Sequence, residues 1–133
     1  MNRQIYLNVA VRDLERSKSF FSTLGFEFNP KFTDEKAACM VVGTDSFVML
    51  LTEPFFKTFT KREVCNTAVQ TEALIAISCA SREDVDTMVN KALATGGSPA
   101  MAPQDMGSMY GWSFYDVDGH HWEVMWMDPK AAQ

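Results

Sequence analysis

The strongest constraint on the fold is an order of predicted elements that occurs twice along the 133 residues of the chain. Each half begins with a strand-like run, continues with an amphipathic helical pattern and ends with three short strand-like runs. Asp13 and Ser81 are suited to cap the two helices, and Gly25 is suited to end the first one. This order predicts an α+β fold of two tandem βαβββ modules, approximately 1–65 and 72–129, in one domain that covers 1–133.

The predicted strands have bounds that a structure can test. In the first half they are expected at 5–11, 26–32, 37–42 and 47–52. In the second half they are expected at 73–79, 98–102, 110–115 and 122–126. Between the halves, the segment 53–64 carries three phenylalanines at a spacing that suits one helical face, and 66–71 is a polar linker. The phenylalanine segment predicts a lid over a cleft or a dimer contact, or else a loop packed on its own sheet.

Composition excludes several classes of partner. The chain is 47% hydrophobic and 22% charged, with a formal net charge of -5. No run approaches the roughly 18 apolar residues of a membrane helix, and an acidic chain is a poor ligand for nucleic acid. The odd set of Cys39, Cys65 and Cys79 argues against a disulfide framework. We therefore expect a cytoplasmic protein with no leader peptide, no membrane partner and no nucleic-acid partner.

The C-terminal segment predicts a β-hairpin. An aromatic run enters Asp116-Val117-Asp118-Gly119, which has the composition of a tight turn, and an alternating run leaves it. The alternation places His121, Glu123 and Met125 on one face of the outgoing strand. A buried carboxylate without a partner is unfavourable, so Glu123 needs a metal, a hydrogen-bond donor or water.

This hairpin resembles the D-P-D-G-N/H-x-x-E ending of the vicinal oxygen chelate superfamily, which includes glyoxalase I, extradiol dioxygenases, and fosfomycin- and bleomycin-resistance proteins. The run Val11-Arg12-Asp13-Leu14-Glu15-Arg16-Ser17, with Phe20-Phe21 and Leu24-Gly25-Phe26, is similar to the V-x-D-L-x-R-S-x-x-F-Y-x-x-L-G-F signature of its first module. The resemblance implies curled mixed sheets around a cleft, in the glyoxalase/bleomycin resistance/dihydroxybiphenyl dioxygenase manner. It also implies a homodimer, and it makes Glu123 the match of the family's last metal ligand.

The other family ligand positions carry residues that cannot bind a hard cation. They fall at Tyr6, at Val48 or Met49, and at Leu74 or Ile75, with Glu53 outside the expected pairing. A divalent cation needs three or more oxygen or nitrogen donors. We therefore expect no cofactor, with a divalent metal as the alternative, held by Glu123 and His121 together with Tyr6 or Asn8.

Both histidines and the glutamate also have purely structural interpretations. His121 would then be a partly exposed turn residue hydrogen-bonded to Glu123, and His120 a solvated turn residue on the other face. Glu123 would accept hydrogen bonds from Tyr6, His121 or the backbone.

A cleft without metal would be aromatic and rich in sulfur. Its predicted ligand-binding residues are Tyr6, Asn8, Met49, Tyr110, Trp112, His121 and Met125, with Glu123 as the predicted catalytic group. Core packing is the alternative for Met49 and Met125, whereas Gly111, between Tyr110 and Trp112, indicates a bulge or a close approach to the backbone.

Two functions follow from the resemblance. The first is a glyoxalase/bleomycin-resistance-like protein of unassigned specificity that binds a small apolar or aromatic molecule in a metal-free cleft. The alternative is a divalent-metal-dependent lyase, isomerase or dioxygenase that uses Glu123 as a metal ligand or as a general base.

Overall fold

A computed structural model describes residues 1–131 of the chain. The fold is α+β, with two mixed sheets, three α-helices and short 3₁₀ turns among these residues. The chain divides into two compact units, Met1–Cys65 and a second that begins at Asn66. We call these the first and second modules. The predicted α+β class and the repeated strand–helix–strands order are confirmed.

The first module is an open sheet of four strands in the order β1-β4-β3-β2. Only the β1–β4 pair is parallel. Asp13 caps the first helix as predicted, because its Oδ1 accepts a hydrogen bond from the Arg16 backbone N–H at 3.1 Å. Gly25, at φ +101°, ends the helix in a conformation that favours glycine. The elements are β1 Ile5–Val11, α1 Leu14–Thr23, β2 Glu27–Asn29, a 3₁₀ turn Pro30–Phe32, β3 Ala37–Gly43, β4 Ser46–Thr52, α2 Glu53–Phe56 and a 3₁₀ turn Lys57–Phe59.

The second module repeats this topology, with strand order β5-β9-β8-β6 and a further short strand, β7, on β8. Its parallel pair is β5–β9. Ser81 caps the helix as predicted, with its Oγ accepting from the Asp84 N–H at 3.1 Å. The elements are β5 Leu74–Ser78, α3 Arg82–Ala94, β6 Ser98–Pro99, β7 Gln104–Asp105, β8 Met109–Tyr115 and β9 His121–Met127.

The strand predicted at 98–102 is divided into β6 and β7. Pro99 pairs with Phe114 and Gln104 pairs with Gly111, so the four residues 100–103 lie opposite the two residues 112–113. Pro103 has no backbone N–H to give to the ladder, which favours an interruption here. The segment 100–103 therefore stands off from β8. The run predicted at 26–32 is shortened for a similar reason, because Pro30 starts a 3₁₀ turn.

Each sheet has one face packed on its helix. In the second module Phe114, Trp122 and Val124 are fully buried and belong to the face that contacts α3. In the first module the buried face carries Met40 and Leu50. Because side chains alternate along a strand, the residues between these belong to the opposite face of each sheet.

The segment 53–64 forms the short helix α2 and the 3₁₀ turn that follows it. The rings of Phe55 and Phe59 meet edge to face at 5.1 Å, and Phe59 is 69% exposed. Its role as a lid or a dimer contact stays a prediction. Within residues 1–131, none of the helices is long and apolar enough to cross a membrane.

Candidate functional site

The turn that joins β8 to β9 is organised by one buried carboxylate. Asp116 Oδ1 accepts from the backbone N–H groups of Asp118 at 2.8 Å and His120 at 3.0 Å, and Oδ2 accepts from Trp122 Nε1 at 3.0 Å. Burial raises the pKa of Asp116, although nearby His120 and these hydrogen bonds act in the opposite direction. Asp116, the first aspartate of Asp116-Val117-Asp118-Gly119, therefore stabilises the turn through these hydrogen bonds.

Gly119 places the same turn against the start of the second module. Its φ is +88°, and a Cβ there would lie 2.7 Å from the backbone O of Thr67. The Thr67 hydroxyl donates to the backbone O of Asp118. A side chain at position 119 would therefore be strained and would also collide with the 66–71 segment.

His120 is buried, so its interpretation as a solvated turn residue is wrong. It is 3% exposed, and its Nδ1 lies 2.9 Å from Glu72 Oε1. No local sequence pattern indicates this pair, because Glu72 lies 48 residues before His120. His120 belongs to the structure of the turn.

A cavity of about 280 Å³ lies on the face of the second sheet that is turned away from α3. Its walls come from β5, β8, β9 and the segment 101–106. Four methionines, Met101, Met106, Met109 and Met125, contribute to them. The remaining lining residues are Leu74, Ala76, Ala102, Gln104, Gly111, Trp112, Ser113, Glu123 and Val124. Apolar walls with few polar groups are typical of small-molecule sites.

Ser113 holds the segment that forms one wall. Its Oγ accepts from the Met101 N–H at 2.9 Å and donates to the Met101 backbone O at 3.4 Å. Residues 100–103, between β6 and β7, do not pair with β8. The two hydrogen bonds to Ser113 hold this segment in place of strand pairing. Met101, Met106 and Ser113 were not predicted as site residues, and the only sequence signal for them is the Pro99/Pro103 interruption.

Among the described residues that line the cavity, Glu123 is the only one with an ionisable side chain. Its side chain is 37% exposed, and its Oε2 lies 3.6 Å from His121 Nε2. That distance is too long for a hydrogen bond. His121 is 8% exposed, and its Nε2 is buried without a hydrogen-bond partner in the part of the chain that the structure describes. The structural interpretation, a partly exposed His121 hydrogen-bonded to Glu123, is therefore wrong.

Tyr110 and Trp112 belong to the face opposite Glu123. Trp112 pairs with Val124 and Ser113 pairs with Glu123, without a bulge at Gly111. A four-residue loop would have paired Trp112 with Glu123, but the observed loop 116–120 has five residues, and a slip of one residue exchanges the faces. Trp112 borders the cavity, but strand alternation directs its ring to the α3 side.

The side chain of Tyr110 already makes polar and cation–π contacts on the α3 side of the sheet. Its hydroxyl donates to Asp86 Oδ1 at 2.5 Å, which raises the pKa of Tyr110. The guanidinium of Arg82 lies over Tyr110 at 5.4 Å and over Trp126 at 5.1 Å, and it also forms two hydrogen bonds with Asp105. The structure thus does not bring Tyr110 together with Glu123.

Tyr6, Asn8 and Met49 lie together on the face of the first sheet opposite Met40 and Leu50. Asn8 pairs with Met49, and Tyr6 pairs with Phe47, on which its ring stacks at 4.9 Å. Tyr6 is 49% exposed, and its hydroxyl donates to Gln4. Their role in ligand binding stays a prediction for the first module.

The residues present do not fit a metal ion of the kind the resemblance implies. The strand register places Leu74 and Ala76 beside His121 and Glu123, and neither can bind a cation. No group of three or more His, Cys, Asp or Glu side chains suited to a metal occurs among residues 1–131. Two donors fall short of the three or more that a divalent site requires.

Comparisons with known proteins agree with this architecture. Residues 3–43 match the family model described as bleomycin resistance protein-like N-terminal. The chain is similar to the structure of hypothetical protein SA1046 from S. aureus, with 29% identity, a TM-score of 0.79 and 94% of each chain covered. No curated protein matches the sequence.

Two solved structures with descriptive names share the fold at lower identity. One is a glyoxalase/bleomycin resistance protein/dioxygenase family enzyme from Burkholderia phytofirmans PsJN, with 16% identity, a TM-score of 0.77, and coverage of 95% of this chain and 99% of that one. The other is the fosfomycin resistance protein FosX from Mesorhizobium loti, with 16% identity, a TM-score of 0.70, and coverage of 99% and 98%.

The fold and the site together define a protein of paired βαβββ modules whose second module carries an apolar cavity beside a carboxylate. The match over the first module and the shared fold narrow that class. The chain has the glyoxalase/bleomycin resistance fold, and its residues 3–43 match the bleomycin resistance protein-like N-terminal family model.

Proposed function

We propose that the protein binds a small apolar or aromatic molecule in the cavity of the second module, without a metal. The observation that carries the proposal is the cavity itself, with four methionines and a single carboxylate in its walls. Methionine side chains adapt to irregular apolar ligands and make favourable contacts with aromatic rings. The positions that match the superfamily's other cation ligands carry Tyr6, Val48 or Met49, and Leu74 or Ile75, which favours a metal-free site.

A cavity-filling variant tests the proposal. Ala76 is exposed, lines the cavity and lies beside Glu123 in the register. Ala76→Phe should fill part of the cavity with little effect on stability, and it should abolish the melting-temperature increase that an aromatic compound produces in the wild type. Thr87→Phe, which adds the same ring on the exposed side of α3, is the matched control.

The test has two results that would contradict the proposal. One is a broad set of small aromatic compounds that leaves the melting temperature of the wild type unchanged. The other is a compound whose stabilising effect survives in Ala76→Phe. Calorimetric titration of the wild type and both variants gives the affinities.

An enzyme that uses Glu123 is the second candidate function, and the geometry of His121 favours it. Among residues 1–131, His121 Nε2 is buried without a hydrogen-bond partner and lies 3.6 Å from Glu123 Oε2, so the two groups are close enough to act as acid and base on one substrate. Elemental analysis distinguishes the metal-dependent form of this candidate. A stoichiometric divalent metal in the wild type that is lost in Glu123→Gln would replace the metal-free proposal.

We also propose a homodimer in the cytoplasm, as the superfamily resemblance implies for chains of this length. The exposed apolar residues, Phe59 at 69% and Leu74 at 62% among them, provide area for pairing. Light scattering at micromolar concentration checks the dimer, and a stable monomer would contradict it.

A further inference from the structure

We infer that the cavity selects small aromatic cations, meaning flat ring systems of one or two rings that carry a single protonated amine, with Glu123 as the counter-charge. This inference rests on the proposed function and adds to it the charge and the size of the ligand. Three features of the described residues support it: the charge of the wall, the solvation of Glu123, and the size and chemistry of the cavity.

Within residues 1–131, the side chains that line the cavity carry one negative charge and no positive charge. Glu123 is its single ionisable residue, and within residues 1–131 no lysine or arginine lies within ion-pair distance of it. An anionic ligand would therefore meet repulsion without any compensating group. A cation would meet a carboxylate whose nearest ionisable neighbour among residues 1–131 is His121, at 3.6 Å, and which no lysine or arginine pairs with.

In the described part of the chain, no group donates a hydrogen bond to the carboxylate of Glu123. Its nearest ionisable neighbour, His121, lies beyond hydrogen-bond distance at 3.6 Å. A neutral ligand that fills the cavity would take water away from this carboxylate and return nothing, which is unfavourable. A protonated amine would replace the lost water with a charge-assisted hydrogen bond.

The size and chemistry of the walls point to a flat ring system. The volume of about 280 Å³ lies just below the range of about 300–1,000 Å³ that is usual for drug-sized ligands. Met101 and Met106 come from an exposed segment, and Met109 and Met125 come from the sheet. Thioether groups on two sides suit the edges and faces of an aromatic ring.

Three probes of similar shape separate the effect of ligand charge on affinity from the effect of the aromatic ring. They are 2-naphthylmethylamine, 2-naphthalenemethanol and 2-naphthoate, titrated by calorimetry into the wild type, Glu123→Gln and Glu83→Gln. Glu83 is an exposed glutamate of α3 and serves as the matched control. The amine should bind the wild type at least tenfold more tightly than the alcohol, and the carboxylate should bind most weakly.

Glu123→Gln should reduce the advantage of the amine to less than threefold and leave the affinity of the alcohol within threefold of the wild type. Glu83→Gln should behave as the wild type does. A second measurement needs no variant. Added salt should weaken the binding of the amine and leave the affinity of the alcohol unchanged, because only the amine relies on a charge pair.

The outcomes separate this inference from the proposed function. Equal affinities of amine and alcohol for the wild type, or an amine advantage that persists in Glu123→Gln or in high salt, would overturn the inference and leave aromatic binding intact. Tightest binding of the carboxylate would also overturn it. Failure of all three probes to bind would overturn the proposed function, and the inference with it.

Discussion

The turn 116–120 and the cavity face of β9 are adjacent in sequence, yet their polar side chains differ in hydrogen bonding. In the turn, both oxygens of the buried Asp116 accept hydrogen bonds, and His120 meets Glu72. On the cavity face, Glu123 and the buried nitrogen of His121 have no hydrogen-bond partner within the described residues.

The difference divides one sequence motif into two functions. Hydrogen-bonded groups in the turn stabilise the hairpin and fix its register, whereas a partly exposed carboxylate beside a cavity, without a protein hydrogen bond among residues 1–131, is available to a ligand. Substitutions in the turn should therefore change the free energy of unfolding, and substitutions in the cavity wall should change ligand affinity.

The largest effect is expected at Gly119. Alanine there would adopt a φ of +88° and place its Cβ 2.7 Å from the Thr67 backbone O. Gly119→Ala should lower the free energy of unfolding by about 2–4 kcal/mol, measured by urea denaturation. Gly107→Ala is the control, because Gly107 has a similar φ of +79° with open space around its Cβ. Equal losses in the two variants would show that contact with Thr67 contributes nothing.

Asp116 should show the next largest effect and a characteristic pH dependence. In Asp116→Asn, an amide NH₂ would face the Nε1–H of Trp122, and the loss should be about 1–3 kcal/mol. Because burial raises the pKa of Asp116, the wild type gains stability as the pH falls through the folded-state pKa toward 3.8. The asparagine variant lacks this gain, so its deficit should widen in acid.

Asp105→Asn is the control, because the pH dependence of its stability deficit should have the opposite sign. The hydrogen bond from Arg82 lowers the pKa of Asp105, so its contribution is present above the ordinary value of 3.8 and is lost as the pH falls through the folded-state pKa. Its deficit should therefore narrow in acid. Urea denaturation over a pH series measures both variants, and a deficit of Asp116→Asn that narrows in acid would contradict the prediction.

Local chemistry made much of the second module predictable from sequence. The Ser81 cap, the hairpin and the shared face of His121, Glu123 and Met125 follow from short-range rules, and the structure has each of them. The partner of His120 and the wall formed by Met101 depend on residues that are distant in the chain, which no local pattern specifies. The placement of Tyr110 and Trp112 depended on whether the hairpin loop had four or five residues.

Ser113 links the two regions and should affect both measurements moderately. Ser113→Ala removes the hydroxyl that holds the Met101 backbone. The free energy of unfolding should fall by about 1 kcal/mol, and aromatic ligands should bind several-fold more weakly because one wall must be ordered on binding. Ser108→Ala, at an exposed position whose side chain makes no described hydrogen bond, should change neither quantity. Unchanged affinity in Ser113→Ala would show that the 100–103 segment is not part of the site.

The smallest effect is expected at Tyr110, where it sharpens the distinction between the two faces of the sheet. Tyr110→Phe keeps the ring beneath Arg82 and removes only the hydrogen bond to Asp86, so stability should fall by about 0.5–1.5 kcal/mol. Aromatic ligands should bind the variant as they bind the wild type, because the register directs this ring to the α3 side. Tyr115→Phe is the control, since Tyr115 pairs with His121 on the cavity face and its hydroxyl has no hydrogen bond among residues 1–131. Urea denaturation and calorimetric titration of both variants decide the matter. A tenfold loss of affinity in Tyr110→Phe, worth about 1.4 kcal/mol, would return Tyr110 to the ligand site and remove the separation between a structural face and a binding face.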